Sequence, residues 1–272
     1  MPENDAELTA KAAIKDHLAD REQFATDYYN DAYLDRRIDA RVRRVGAEDY
    51  GEYLDILRSD RTEEEQLLDF LSVNVTSFFR NPDVWDRIRT VLEELTADGR
   101  TRVWSAACAD GREPYSIAML ALDDPDINDR NLDITATDID ADTLETAREG
   151  VYETTQTTDI QEELAPIDDY DQFIDQDGDR FAVRDRVKRT ISFEQHDLIH
   201  GEPMRDFDLV LCRNLLIYID REYKEPIFET LHGSLDSDGY LVIGMTETLP
   251  RGYRDVFETV DKRLRVYRNG GE

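Results

Sequence analysis

Lysine is nearly missing from this 272-residue chain: of 33 basic residues, only Lys11, Lys15, Lys188, Lys224 and Lys262 are lysine. Cysteine is scarcer still, with Cys108 and Cys212 alone, far apart and each in an apolar stretch. Two such cysteines, and four histidines without ligand spacing, predict buried reduced thiols and no metal site. No run of about 18 apolar residues occurs, and the N-terminus lacks a basic-then-apolar leader. The expectation is a soluble intracellular protein with no direct membrane insertion. Acid, by contrast, is in excess: 63 Asp and Glu leave a formal net charge of −30. These acids are spread along the whole chain, as on a surface built for concentrated salt, where self-repulsion is screened. A salt-in halophilic cytoplasm is the expected setting. The same charge disfavours nucleic acid as a partner, because phosphate would be repelled almost everywhere.

Two patterns divide the chain. Residues 1–73 read as all-helical, with apolar positions at helical spacing, first Ile14 and Leu18, then Leu34, Ile38, Val42 and Val45. Gly46 stops one helix and Asp49-Tyr50-Gly51 leads into another. From residue 101 strands alternate with helices: TRVWSAA, LDITATD, RTISFEQHD, FDLVLCRN, GYLVIGM and RLRVYRN. That alternation predicts an α/β fold with a mostly parallel, doubly wound, Rossmann-like sheet over 101–272, joined through 74–100. The polar stretch 152–189, with Asp177-Gly178 as a turn signal, reads as a small excursion from the sheet.

The most informative segments are Val103–Met119, VWSAACADGREPYSIAM, and Leu132–Asp140, LDITATDID. The first reads as strand, tight turn through Gly111, then a helix opening near Pro114. The second is a strand ending at Asp138 and Asp140. Open α/β sheets hold adenosine-containing ligands with this arrangement, the glycine letting backbone approach and the acid accepting ribose hydroxyls. A different signal lies in LDRRIDARVRRVG, where five arginines occupy nine positions, 36–44. At 100° per residue Arg37, Arg41 and Arg44 form a stripe beside the apolar one, with Arg36 and Arg43 further round. In so acidic a protein this face predicts docking of an anionic partner.

Together these pieces resemble the chemoreceptor glutamate methyltransferases of the CheR type. The resemblance rests on NVTSFFR (74–80), WSAACADGREPYS, ATDID, CRNLLIY (212–218) and the arginine helix leading into GAEDYGEYL. It implies a class I S-adenosylmethionine-dependent fold with a helical, receptor-docking N-terminal domain and a small β-subdomain. It also implies methylation of glutamates on the cytoplasmic helices of chemotaxis receptors, with S-adenosylhomocysteine as the spent cofactor. Residue by residue, it places Asn74, Thr76, Arg80, Ala107, Gly111, Glu113, Asp138, Asp197, Leu198, Arg213 and Asn214 at the cofactor. Asp138 is expected on the ribose, and Asp197-Leu198 beside the adenine, where the family usually has asparagine-leucine. Arg80 and Tyr218 are expected at the chemistry, Arg80 orienting a carboxylate and Tyr218 facing the methyl or the substrate. Phe78 and Phe79 are expected only to pack. Arg36, Arg37, Arg41, Arg43 and Arg44 would meet the receptor's acidic helices. The sequence departs from the family at Asp110 and Arg112 in the turn, and at Met245 in GMTET, where a histidine is usual. With a single glycine, Gly178, in the subdomain loop, binding without a receptor tether is expected.

Overall fold

The computed structural model describes residues 2–19, 26–71 and 76–270. By its contacts the chain divides into two units, Met1–Asn74 with Tyr218–Lys224, and Val75–Ile217 with Glu225–Glu272.

The smaller unit holds α1 (Pro2–Ala19), α2 (Asp31–Val45), α3 (Tyr50–Ser59) and α4 (Arg61–Leu71). Local chemistry sets its boundaries. The Asn30 side chain accepts from Tyr33 N at 2.9 Å to start α2, and Gly46, at φ 79°, ends it with a bond to Val42 O. Asp49 caps α3 through Glu52 N at 2.8 Å. Ile14, Leu18, Leu34, Ile38, Tyr53, Leu57, Leu67 and Leu71 are buried together as its core. Two expectations for α2 fail. Val45 is 38% exposed, because it lies in the last turn, just before the chain leaves at Gly46. Arg41 instead turns inward with Leu34, Ile38 and Val42, and is only 6% exposed. Its guanidinium is taken by Glu63, with Nε on Oε1 at 2.8 Å and Nη2 on Oε2, while Tyr53 Oη also donates to Glu63 at 2.8 Å. A buried arginine facing a buried carboxylate holds α2 to α4, so Arg41 is not on the docking surface. The two lysines of α1 neutralise the acids that interrupt the arginine run. Lys11 pairs with Asp39 at 2.9 Å, and Lys15 with Asp31 at 2.6 Å and Asp35 at 2.8 Å.

The larger unit starts with α5 (Pro82–Asp98) and then alternates β1 (Thr101–Ala106), α6 (Arg112–Asp123), β2 (Leu132–Asp138) and α7 (Ala141–Glu149). An antiparallel three-stranded sheet follows, built from β3 (Val151–Glu153), β4 (Ile174–Asp177) and β5 (Arg180–Val183), with the short helices α8 (Ile160–Glu163) and α9 (Asp185–Lys188) beside it. The β4–β5 hairpin turns tightly, with Asp177 opposite Arg180 and Gly178 at φ 59°. The main chain then resumes with β6 (Ile191–Gln195), β7 (Phe207–Cys212), α10 (Arg221–Ser234), β8 (Leu235–Ile243), β9 (Phe257–Asp261) and β10 (Val266–Asn269). The seven-stranded sheet runs β6-β2-β1-β7-β8-β10-β9. Its first five strands are parallel, while β10 is antiparallel to both β8 and β9.

All six strands expected from sequence are present. The seventh, β9, was not foreseen because it is an edge strand, FETVD, that buries only Phe257 fully and so shows no apolar run. Central strands β1 and β7 are buried on both faces, which is why they read as continuous apolar stretches. Trp104 is fully buried in β1, and its indole N–H donates to Thr137 Oγ1 at 2.9 Å. Cys108 and Cys212 are both buried and unbridged. Among the described residues, no helix is long and apolar enough to cross a membrane.

Candidate cofactor cleft

Strand order reverses between β1 and β7: from β1 the chain builds outward to β2 and β6 on one side, and to β7 and β8 on the other. Ligands of open α/β sheets bind beyond the carboxyl ends of strands at such a reversal. Ala107, Asp138, Asp197, Arg213 and Asn214 all sit at or just past the carboxyl ends of β1, β2, β6 and β7, four neighbours in the sheet.

The turn after β1 is unusually shaped. Ala107, Ala109 and Gly111 all have positive φ, at 55°, 49° and 89°, and two of them carry a Cβ that disfavours this region. The turn is held from below and above. Cys108 N donates to Thr137 O at 2.9 Å, and Gly111 N to Cys108 O at 3.1 Å. Ala109 N donates to Asp138 Oδ2 at 2.9 Å. The space that Gly111 leaves free is filled by α7, since a Cβ there would lie 2.9 Å from Ala147 Cβ. Its lack of a side chain thus serves the turn and helix packing, where the sequence reading gave it ligand approach.

Asp138 uses one lone pair on each oxygen for backbone N–H groups, those of Ala109 and of Asp140 at 3.1 Å. A carboxylate has about four acceptor sites, so capacity for two hydroxyls remains. Burial pushes its pKa up, against the pull of the same N–H groups. Asp140, by contrast, is a helix cap, accepting from Asp142 N and Thr143 N at the start of α7.

Glu113, in the first turn of α6, is buried at 8% exposure. Ser105 Oγ donates to its Oε1 at 2.9 Å and Arg213 Nη1 to its Oε2 at 3.1 Å. Arg213 also binds the linker, through Arg80 O at 2.8 Å and Asn81 Oδ1 at 3.2 Å. Its Nε is buried without an acceptor. A buried donor left unmet costs about 1–3 kcal/mol, so a ligand offering oxygen atoms fits this corner. The linker itself turns sharply, with Phe79 and Asn81 at positive φ. Phe79 N donates to Ser116 Oγ at 3.0 Å and Phe78 N to Glu163 Oε2 at 2.9 Å. Both phenylalanines are buried, as expected of packing residues. Arg112, the departure noted in the turn, bridges Asp110 at 2.8 Å and Glu163 at 3.1 Å. Glu163 lies in the polar excursion, where no sequence signal marked it.

Other assignments divide. Leu198 is buried, but the Asp197 carboxylate is engaged in its own turn. It accepts from Ile199 N at 2.7 Å and His200 N at 3.3 Å, and meets His200 Nδ1 at 3.1 Å. An aspartate closes such a local turn readily, so this side chain is a turn cap where the sequence reading aimed it at adenine. Thr76 is half-buried, and Asn74 lies outside the described residues. Tyr218 groups with the helical unit: its ring lies 4.8 Å from that of Tyr33, and its carbonyl accepts from Asn30 N and Nδ2, both at 2.8 Å. Arg36, Arg43 and Arg44 are exposed, and Arg37 lies over the Phe70 and Tyr33 rings at 4.4 and 5.4 Å.

The family described as "CheR methyltransferase, SAM binding domain" matches residues 74–266, and "CheR methyltransferase, all-alpha domain" matches 12–72. A chemotaxis protein methyltransferase of Listeria monocytogenes is 34% identical over 81% of this chain and 83% of its own. A probable one of Rhizobium etli is 32% identical over 82% and 87%. Among solved structures, TehB from Haemophilus influenzae shares 14% identity, with a TM-score of 0.40 over 70% of this chain and 54% of that one. With both domain families matched in order and curated relatives covered over most of their length, the chain belongs to the CheR family of S-adenosylmethionine-dependent chemotaxis methyltransferases.

Proposed function

We propose that this protein acts in the cytoplasm and transfers a methyl group to glutamate side chains on the helices of chemoreceptors, forming methyl esters. The observation that carries this reading is the convergence of Asp138 and the Glu113–Arg213 pair at the sheet's carboxyl edge, in a chain of this family. When bound there, S-adenosylmethionine supplies an electrophilic methyl. Asp138 would hold the ribose, and Glu113, Arg213, Asn214, Thr76 and Asn74 would complete the grip. A glutamate has a pKa near 4.3 and arrives ionised, so the protein needs no general base. Its residues orient a carboxylate and exclude water. Arg80 is the proposed orienting cation.

Receptor docking is assigned to Arg36, Arg37, Arg43 and Arg44, which complement acidic helices. Because Lys11 and Lys15 already occupy Asp31, Asp35 and Asp39, those acids offer little charge to oppose the arginines. The tight Gly178 turn supports recognition without a receptor tether. Labelled methyl transfer from S-adenosylmethionine to chemoreceptor membranes tests the reading, and base-labile label identifies an ester. Reversing Arg36, Arg43 and Arg44 to glutamate should abolish that transfer while S-adenosylhomocysteine affinity stays within about twofold. Undiminished transfer by the reversed variant would remove the docking face.

Cofactor affinity should also report the state of Asp138. The ionised carboxylate is the acceptor, and burial raises its pKa. Affinity therefore falls with acidification, and does so at a higher pH than an ordinary aspartate would give. Asp138→Asn should bind more weakly at neutral pH and lose that acid limb. Calorimetric titration across pH that finds the same limb in both proteins would contradict the assignment.

A further inference from the structure

Glu247 is a buried acid with no role so far. It is 3% exposed, and no ion pair reaches it among the described residues. A carboxylate buried without a counter-charge is costly unless hydrogen bonds replace the lost water. Here backbone groups do so. Oε2 accepts from Gly244 N at 2.5 Å and Asn214 N at 3.2 Å, and Oε1 from Ile217 N at 3.3 Å. One side chain following β8 thus ties down the segment that leaves β7.

Two further features fit a template for that segment. Asn214 sits at φ 63°, a left-handed conformation that must be held from outside. Gly244 allows the close approach, since a Cβ there would lie 2.6 Å from Glu247 Oε2 and 2.9 Å from both Asn214 N and Nδ2. We propose that Glu247 is a positioning residue for the cofactor cleft, moulding residues 214–217 so that Asn214 is presented to the bound nucleoside. This rests on the assignment of Asn214 to cofactor binding. An acid suits the task because it only accepts, whereas an amide would turn its NH2 toward N–H donors.

The test compares native protein with Glu247→Gln at a temperature where both are fully folded. S-adenosylhomocysteine should bind roughly tenfold more weakly to the variant, the scale of losing a hydrogen bond to a charged group. Hydrogen exchange of the ligand-free proteins should be faster at Asn214 and Ile217 in the variant. If Glu247→Gln does not fold, Glu247→Asp, which keeps the charge but shortens the reach, should show the same two changes. Unchanged affinity, even in a variant with a lowered melting temperature, assigns Glu247 to stability alone and overturns the proposal. Loosened exchange with unchanged affinity does the same, by removing Asn214 from the cleft's requirements. Native protein that fails to bind S-adenosylhomocysteine removes the cofactor reading itself, and this inference with it.

Discussion

Replacing Arg213 with alanine should lower the unfolding free energy by about 3–5 kcal/mol, the cost of stranding one member of a buried ion pair. The stranded partner is Glu113, whose Oε2 would keep no cation, and the Arg213 side chain it loses is only 1% exposed. Asn81 Oδ1 and Arg80 O, which also accepts from Trp85 Nε1 at 3.1 Å, would both lose the guanidinium at the same time, loosening the linker where Phe79 and Asn81 hold positive φ. The double replacement Arg213→Met with Glu113→Gln should be milder than the alanine variant, because it removes both charges together. That double variant should still fold but no longer bind S-adenosylhomocysteine. Chemical denaturation reads the first effect and calorimetry the second. A loss below about 1 kcal/mol for Arg213→Ala, the range of an exposed pair, would show that the pair is not buried as described.

Arg41→Ala should cost a similar amount, about 3–5 kcal/mol, and for a reason the arginine run conceals. Glu63 would keep the Tyr53 hydroxyl but lose both guanidinium bonds inside the helical unit. Arg44, three residues along the same helix and exposed, should change stability by no more than about 0.5 kcal/mol when replaced by alanine. The helical signal in denaturation separates the two. Arg41→Ala that keeps native stability yet loses receptor methylation would return Arg41 to the docking face.

The contrast between Arg41 and Arg44 shows where reading residues in order succeeds and where it fails. Periodicity placed Leu34, Ile38 and Val42 inward correctly, yet it could not tell an arginine bound to a buried acid from one in water. That distinction depends on Glu63, which is 22 residues away. The parallel strands were legible because burial on both faces writes an unbroken apolar run, and β9 was hidden because an edge strand does not. At the cleft, the position of Asp138 at the end of β2 and of Glu113 in the first turn of α6 was legible from motif and order, while what each binds is proposed. Asp197 misled because a strand-end carboxylate looks the same whether it faces a ligand or closes its own turn. Glu163 carried no signal, and Glu247 stood only as a retained position of the GMTET run with no role attached, since the groups that each orders lie largely in segments distant in sequence.

Calorimetric titration of the folded protein with S-adenosylhomocysteine bears most directly on the cleft between β1 and β7. Saturable binding of one nucleoside per chain, weakened in Asp138→Ala by a few kcal/mol at most, is the result expected. Absence of binding by well-folded protein, or equal binding by the Asp138→Ala variant, would contradict it.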